Sequence, residues 1–229
     1  MVGLTNVSLA GAVTVVVGFG NVGRGVAERA RGMGAQVLVT EIDPFRALEA
    51  HTLGYRVLPL ADAAAEATLL ITATGSRNVV RAEHLGLLPD GAILANAGHG
   101  SVEIDTAALA ASGRGRRIGP DVEEYTDDSG RRTVLLASGN PVNTTGGSGH
   151  AAAAMDVSFS AQALAVAELV TRRPPPGLHE LSEATKQEVA RLAVTERYIP
   201  LDDPAPGHDI YSNYLTGEPE RAALDTWEQ

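Results

Sequence analysis

The chain has 229 residues, 44% of them hydrophobic and 20% charged, which is typical of a folded protein with one large or two small domains. Its 28 acidic and 18 basic side chains leave a net charge of −10, which disfavours binding to a nucleic-acid backbone. Because the sequence contains no cysteine, disulfides, thiolate nucleophiles and thiolate-bound zinc are excluded.

The N-terminal segment is apolar but lacks the basic region of a signal peptide, since its first cationic residue is Arg24. We predict a buried strand from Ala12 to Gly18, because its continuous β-branched run is typical of a parallel strand covered on both faces. A helix from Asn21 to Arg31 and a second strand from Gln36 to Asp43 complete a βαβ unit. No apolar run approaches the ~18–20 residues of a membrane span, so we expect a cytoplasmic protein without a membrane partner.

After this βαβ unit, strands alternate with helical or loop stretches along most of the next hundred or so residues. Pro44 begins a helix at the first-turn position that suits proline. The alternation predicts an α/β fold with a Rossmann-like, doubly wound parallel sheet. The further predicted strands are Tyr55 to Leu60, Ala67 to Gly75, Gly91 to Gly98 and Arg132 to Ser138.

A domain boundary is predicted at the segment RRPPPG, which ends at Gly177 and interrupts regular structure. Residues 1–177, including a small-residue helix from Ala151 to Thr171, would form the sheet domain. Residues 178–229 would form a polar helix from Leu181 to Val194 and a proline-rich arm. The arm carries Tyr211, Tyr214 and Trp227. Such an arm packs either on its own domain or on a neighbouring subunit. Because aromatic side chains bury large areas at interfaces, we expect a homo-oligomer.

A GxGxxG element runs from Gly18 to Gly23, between the first predicted strand and the first long helix. Its glycines permit the turn, close approach of a pyrophosphate and close helix packing, so the pattern predicts a dinucleotide site. Glu41 lies 18 residues after Gly23, near the offset at which a carboxylate accepts hydrogen bonds from the adenosine ribose. NAD is favoured over NADP because Glu41 would repel a 2′-phosphate. Arg46 would neutralise such a phosphate, so NADP remains open, as does a merely solvated Glu41.

Two histidines lie at positions typical of ligand sites. One follows a strand of the predicted sheet, and the other precedes a helix, where free N–H groups collect. His99 lies between Gly98 and Gly100 at the end of a predicted strand, and its imidazole suits proton transfer near pH 7. His150 precedes the small-residue helix, at a position where the helix N–H groups would bind the polar edge of a substrate. We interpret both as catalytic candidates. The alternatives are a histidine satisfied by a local turn and a helix-start residue without a ligand.

The other histidines and the acidic cluster carry no catalytic pattern. No pair of histidines has metal-ligand spacing, so no metal site is predicted. Ser148 lacks the GxSxG context of a nucleophile, which disfavours covalent catalysis. Surface or packing positions are expected for His51, His84, His179 and His208. A solvated turn between strands is expected for Asp121, Glu123, Glu124, Asp127 and Asp128.

Five segments carry a resemblance to a known family: GFGNVGRG (18–25), TEIDPFRALEA (40–50), TATGS (72–76), NAGHGSVEID (96–105) and GSGHAAAAMDVSFSAQ (147–162). In order and spacing they resemble the cofactor domain of S-adenosylhomocysteine hydrolase, over roughly residues 8–195. The resemblance implies NAD kept as a recycled cofactor, which oxidises the 3′-hydroxyl of a nucleoside. The resulting ketone acidifies the 4′ C–H, and loss of that proton expels the 5′ substituent.

The resemblance also implies where individual residues lie. His150 would stand at the substrate edge, and Glu41 at the ribose. The cofactor set implied by motif and resemblance together is Gly18, Gly20, Asn21, Val22, Gly23, Glu41, Arg46, Thr74, Gly75, Ser76, Ala97, Gly98, His99 and Asn143. Of these, Ala97, Gly98, His99 and Asn143 would surround the nicotinamide.

Departures from the family bear on activity. The lysine and carboxylates of the family's large substrate-binding domain have no match, because the chain is expected to start near the end of that domain. Lys186 cannot be assigned to that motif, the ending ALDTWEQ does not match the family's tail, and Arg46 replaces a usual asparagine.

We therefore expect an NAD-dependent enzyme, a lyase or dehydratase or a hydrolase-like relative, acting on an adenosine-type nucleoside by elimination at C4′–C5′. One alternative is a non-catalytic or split NAD-binding subunit that serves a separate substrate-binding chain. A simple nucleoside dehydrogenase is another alternative.

Overall fold

A computed structural model describes residues 2–202. Two compact units, Met1–Ala151 and Ala152–Gln229, divide the chain. The sequence-based boundary at Gly177 falls one helix later, because the helix before it packs against the helix that follows. The predicted arm lies almost wholly outside the described residues, including Tyr211, Tyr214 and Trp227, so its role in a homo-oligomer stays a prediction.

The first unit holds an eight-stranded sheet with six short or medium helices. The strands are β1 (Val13–Val17), β2 (Gln36–Thr40), β3 (Arg56–Val57), β4 (Leu69–Thr72), β5 (Ala92–Asn96), β6 (Gly113–Gly119), β7 (Val122–Asp127) and β8 (Arg132–Leu136). The helices are α1 (Val2–Thr5), α2 (Asn21–Gly32), α3 (Pro44–Thr52), α4 (Leu60–Glu66), α5 (Ala82–Leu85) and α6 (Thr106–Ala111).

The strand order is β3-β2-β1-β4-β5-β8-β7-β6. Pairings from β3 across to β8 are parallel, whereas β8–β7 and β7–β6 are antiparallel. The chain moves outward from β1 to β3 and then returns to β4 on the other side of β1. This confirms the Rossmann-like α/β fold and puts a switch point between β1 and β4, where such sheets bind ligands.

The central strands are buried on both faces, which explains their continuous apolar sequences. Along β1, Val15 and Val17 pack into one hydrophobic cluster and Val16 into another on the opposite face. In β4, Leu70 joins the first cluster while Ile71 joins the cluster behind the sheet. Successive side chains therefore fill two separate layers, as the period of a strand requires.

The acidic segment predicted as a solvated turn instead forms most of β7, so that prediction is wrong. Glu124 of β7 pairs with Arg116 of β6 at 3.0 Å, and Tyr125 packs against the core. Charged cross-strand partners stabilise a half-buried strand whose sequence looks polar. Asp121 and Asp128 do lie in turns, at the two ends of this strand.

Gly23 allows helix α2 to pack closely against the turn at Gly18. A methyl group at Gly23 would lie 1.9 Å from the carbonyl oxygen of Gly18, whereas one at Gly25, also in α2, would meet nothing within 4 Å. The third glycine of the motif therefore permits the close contact between helix and turn that the sequence predicts.

The second unit contains two helices, α7 (Ala152–Arg172) and α8 (Glu183–Glu196). Glu168 of α7 joins them, because its carboxylate accepts hydrogen bonds from the hydroxyls of Thr185 at 2.6 Å and Ser182 at 3.0 Å. Arg172 pairs with the same carboxylate from within α7. Ser182 also caps α8 by accepting the N–H of Thr185.

Within residues 2–202, one helix, α7, is long and apolar enough to cross a membrane by length and composition. It has 21 residues, and none of them is buried. No apolar run of this length is predicted from the sequence, and the difference arises because many alanines raise the mean hydropathy to 1.3 despite Asp156 and Glu168. The absence of a membrane partner stays a prediction.

Alanine at Gly23 is expected to destabilise the first unit by about 1–3 kcal/mol, because the added methyl group displaces the turn at Gly18. Alanine at Gly25 is the matched control and should stabilise the same helix by up to about 1 kcal/mol. Urea unfolding followed by circular dichroism measures both changes. Equal free energies of unfolding for the two variants would contradict the packing role of Gly23.

The pairing of α7 with α8 is expected to depend on pH. Hydrogen bonds from Thr185 and Arg172 lower the pKa of Glu168 from 4.5 to about 2. Because the folded pKa is lower than the unfolded one, this carboxylate stabilises the fold above about pH 4.5, and the contribution is lost as the pH falls towards 2.

Thermal unfolding followed by circular dichroism should show that Glu168→Gln weakens this unit at pH 7 and removes part of its acid sensitivity. Asp156→Asn is the control, because Asp156 is an exposed acid of α7. Identical acid transitions in wild type and Glu168→Gln would show that Glu168 does not join the helices.

Candidate functional site

A cleft of about 980 Å³ lies at the carboxyl ends of the parallel strands of the first unit. It opens at the switch point between β1 and β4, the position expected for a ligand in this fold. Most of the predicted cofactor residues line it. They are Gly18, Gly20, Asn21, Val22, Glu41, Arg46, Thr74, Gly75, Ser76, Ala97, Gly98 and His99.

Three predicted residues do not line this cleft. Gly23 is buried beneath the glycine turn and serves packing. Asn143 accepts the N–H of Gly149 with its carbonyl oxygen at 2.8 Å, which closes a tight loop beyond β8. His150 is exposed at the end of that loop. The structure thus places His99 in the cleft and His150 outside its walls.

The glycine turn brings the backbone to one wall of the cleft. Gly18 has a φ of +93°, and a methyl group there would lie 2.9 Å from Cγ2 of Thr74. Gly20 precedes α2 without a side-chain cap, so the first N–H groups of the helix remain available. Together with the partial positive charge of the helix start, these donors fit a pyrophosphate.

Glu41 is held in one orientation by backbone donors. Its carboxylate accepts the N–H groups of Phe19 at 2.6 Å, Ile42 at 2.7 Å and Asp43 at 3.0 Å. Burial raises the pKa of this carboxyl, but the three N–H groups and the charge of Arg46 outweigh burial and lower it below 4.5. A fixed carboxylate in this position fits the hydroxyls of an adenosine ribose.

Arg46 lies across the same end of the cleft. Its Nη1 stands 3.6 Å from the position that a Cβ on Gly20 would occupy, and its charge acts on Glu41. The N–H of Arg46 is itself fixed, because Asp43 accepts it as the cap of α3. An anion and a cation therefore flank the predicted ribose position.

Glu103 is a site residue that the sequence analysis did not identify. It is fully buried, with 0% of its surface exposed, and its carboxylate contacts the loops that follow β4 and β5. Donors to it are the N–H and hydroxyl of Thr74 at 2.9 and 2.7 Å, the N–H of Gly75 at 2.8 Å and the N–H of His99 at 3.3 Å. The sequence signal for this role is an acid flanked by the apolar Val102 and Ile104. A carboxylate in such a context is buried only when hydrogen-bond donors or cations surround it.

Asn96 organises the opposite side of the same loop. Its Oδ1 accepts the N–H of Gly98 at 2.7 Å, and its Nδ2 donates to the carbonyl oxygens of Gly139, at 2.9 Å, and of Gly100. Gly139 belongs to a short 3₁₀ turn, Ala137–Gly139, whose three residues all have positive φ. The amide thus ties the His99 loop to a left-handed turn after β8.

The two cleft histidines differ in exposure. The side chain of His99 is exposed in the cleft, where proton exchange with a ligand is possible. His84 is buried in the wall, where its Nδ1 accepts the N–H of Arg81 at 3.1 Å and burial lowers its pKa. His84 is therefore a packing residue of α5, as the sequence predicts.

Glu41 and Arg46 are expected to set the preference for NAD over NADP in opposite directions. Glu41→Gln should weaken NAD binding about tenfold, because a charged hydrogen-bond acceptor is lost, and should reduce the preference for NAD. Arg46→Ala should increase that preference, since a cation that would neutralise the 2′-phosphate is removed.

Calorimetric titration with both nucleotides measures these changes, with Glu49→Gln as the control because Glu49 pairs with Arg24 outside the cleft. Since the pKa of Glu41 lies below 4.5, this carboxylate stays ionised from about pH 6 to 8, and its contribution to NAD affinity should stay constant over that range. Equal affinities of the wild type for NAD and NADP would contradict the assignment of Glu41.

Residues 2–149 match the family model described as the S-adenosyl-L-homocysteine hydrolase NAD binding domain. The chain is 45% identical over 215 residues to an adenosylhomocysteinase of Nostoc sp., covering 93% of this chain and 51% of that protein. It is 45% identical over 202 residues to an adenosylhomocysteinase of Saccharolobus solfataricus, covering 87% and 48%. An S-inosyl-L-homocysteine hydrolase of Methanopyrus kandleri is 44% identical over 211 residues, with coverage of 90% and 50%.

The chain spans about half the length of the curated relatives it matches. The match includes the glycine turn, Glu41 and the His99 loop, which line the cleft, and the buried Glu103 that holds the His99 loop. The Glu41 carboxylate, the start of α2 and the glycine turn fit the parts of a dinucleotide. This chain therefore belongs to the family of S-adenosyl-L-homocysteine hydrolase NAD-binding domains, and its cofactor is NAD.

Proposed function

We propose that this chain is an NAD-dependent enzyme of nucleoside chemistry, acting on an adenosine-type nucleoside through reversible 3′-oxidation and elimination at C4′–C5′. The observation that carries the proposal is the exposed imidazole of His99 in the NAD cleft, on a loop fixed by Glu103 and Asn96. The names of the relatives support the nucleoside class. Bound NAD would supply the oxidation of the 3′-hydroxyl by accepting a hydride.

Different residues of the chain bind the cofactor and transfer the proton. The start of α2, with Gly20 and Asn21, binds the pyrophosphate, and Glu41 accepts hydrogen bonds from the ribose. His99 exchanges a proton with the substrate near the nicotinamide, a role that suits an imidazole exposed in the cleft. His150 and Asn143 are proposed for the substrate edge and the nicotinamide, on the basis of the family resemblance.

After the 5′ substituent leaves, a 4′,5′-alkene remains, and the fate of this alkene determines the reaction class. A lyase or dehydratase releases the alkene once the 3′-ketone is reduced, whereas a hydrolase adds water to the alkene first. We favour the lyase. The two outcomes differ by one water in the mass of the product, so mass spectrometry separates them.

A second candidate function is a split NAD-binding subunit that serves a separate substrate-binding chain. Its support is the position of Lys186, the one lysine in the sequence, which lies on α8 and pairs with Glu183 at 3.5 Å. Among the described residues, no lysine lines the cleft. A base for the 3′-hydroxyl would then come from the other chain.

The test is to incubate the purified chain with NAD and a set of adenosine-type nucleosides, while following nicotinamide absorbance and product mass. Transient reduction followed by loss of the 5′ substituent is the expected result. Stable reduced cofactor with a 3′-keto product would identify a simple dehydrogenase. Turnover that requires an added substrate-binding chain would identify the split subunit.

His99→Ala is expected to lower turnover about 10²- to 10⁴-fold, the usual contribution of a positioned proton-transfer group. NAD affinity should change much less, because the glycine turn and Glu41 remain. His51→Ala is the matched control, since His51 is exposed in the last turn of α3 and lies outside the cleft. A variant with near-normal turnover, or one whose defect is entirely lost NAD binding, would show that His99 is structural.

A further inference from the structure

Glu103 connects two loops that leave neighbouring strands of the sheet. Its carboxylate bonds the loop after β4, at Thr74 and Gly75, and the loop after β5, at His99. Its carbonyl oxygen also accepts the N–H groups of Val79 at 2.8 Å and Val80 at 3.0 Å. One residue therefore fixes both ends of the β4 loop relative to the His99 loop.

The bonds at the carboxylate fit an ionised acid and not its amide. Oε2 accepts the N–H and hydroxyl of Thr74, while Oε1 accepts the N–H groups of Gly75 and His99. Each oxygen thus faces at least one backbone N–H, whose direction is set by the chain. A glutamine in either orientation would point its NH₂ group at the donors on one side and leave part-buried N–H groups without an acceptor.

The space around the carboxylate is shaped to hold it in this position. A methyl group on Gly98 would lie 1.6 Å from Oε1 of Glu103, so a side chain at position 98 cannot coexist with the bonded carboxylate. Such a methyl group would point at Glu103 and away from the cleft. Gly98 therefore leaves room for the acid as well as lining the cofactor site.

We propose that Glu103 is a positioning residue of the NAD site, which holds Thr74, Gly75 and His99 so that the nicotinamide end of the cofactor meets a preformed wall. The proposal rests on the proposed placement of the nicotinamide beside Gly98 and His99, and it does not depend on the nucleoside reaction. The adenosine end is bound separately, by the glycine turn and Glu41.

The experiment compares Glu103→Gln with wild type in calorimetric titrations with NAD and with ADP, a probe that lacks the nicotinamide half. The expected result is a loss of NAD affinity of about tenfold or more, because the loop donors lose their acceptor, with ADP affinity within about twofold. Amide hydrogen exchange in the free protein should become faster at Thr74, Gly75 and His99.

The matched control is Asp105→Asn, a nearby acid that caps α6 by accepting the N–H of Ala108 at 2.9 Å. Asparagine is an equally good cap, so NAD affinity, ADP affinity and exchange at the three amides should stay at wild-type values. If Glu103→Gln fails to fold, Gly98→Ala is the second variant, because its methyl group displaces an unaltered carboxylate. It should give the same selective loss of NAD affinity.

Equal losses of NAD and ADP affinity would overturn the proposal, because a general defect in folding lowers both. Faster exchange at Thr74, Gly75 and His99 with unchanged NAD affinity would also overturn it, since the nicotinamide would then not use this wall. If Glu103→Gln selectively loses NAD affinity while the wild type turns over no nucleoside, the role of Glu103 is supported and the proposed function is refuted.

Discussion

Backbone N–H groups at the carboxyl edge of the parallel sheet need acceptors once the strands end, and the NAD site depends on how this need is met. Glu41 supplies an acceptor after β2, Asn96 at the end of β5, and Glu103 between the β4 and β5 loops. An unpaired buried N–H costs about as much as a lost hydrogen bond, so these side chains hold the loops in one arrangement. Groups of the protein itself therefore fix the shape of the cleft wall.

The two carboxylates share a mode of bonding but differ in their access to the cleft. Glu41 borders the cleft, so it is ready to accept further hydrogen bonds from a ligand. Glu103 is fully buried, and its four donors come from the protein. One acid therefore acts on the ligand directly and the other through the residues it holds, a division consistent with support of binding groups by a second layer.

Sequence patterns predicted the parallel half of the fold well, because its signals are local. The strand proposed from Ala12 to Gly18 is β1 (Val13–Val17), and the helix proposed from Asn21 is α2 (Asn21–Gly32). The β6–β7 hairpin was missed because its stability comes from cross-strand pairs such as Arg116 with Glu124, which a single segment does not reveal.

Within the candidate site, the sequence brings together the residues that have fixed local spacing. The glycine motif and Glu41 have fixed spacing along the chain, so their convergence follows from the βαβ unit. Glu103 binds Thr74 across 29 positions of sequence, and no periodic pattern encodes such a contact. His150 and Asn143 follow β8 and do not line the cleft, since their loop closes on itself through Gly149.

The hairpin at the end of the sheet also affects how copies of this chain can meet. An open sheet edge presents unpaired N–H and C=O groups and invites another strand, a common route to aggregation. Here one edge is β3, with two residues, and the other is β6, which is interrupted by a bulge near Arg117 and carries exposed Arg114 and Arg116. Charge repulsion and irregular register at β6, and short length at β3, protect both edges. Among the described residues, these two edges disfavour a continuous sheet across subunits.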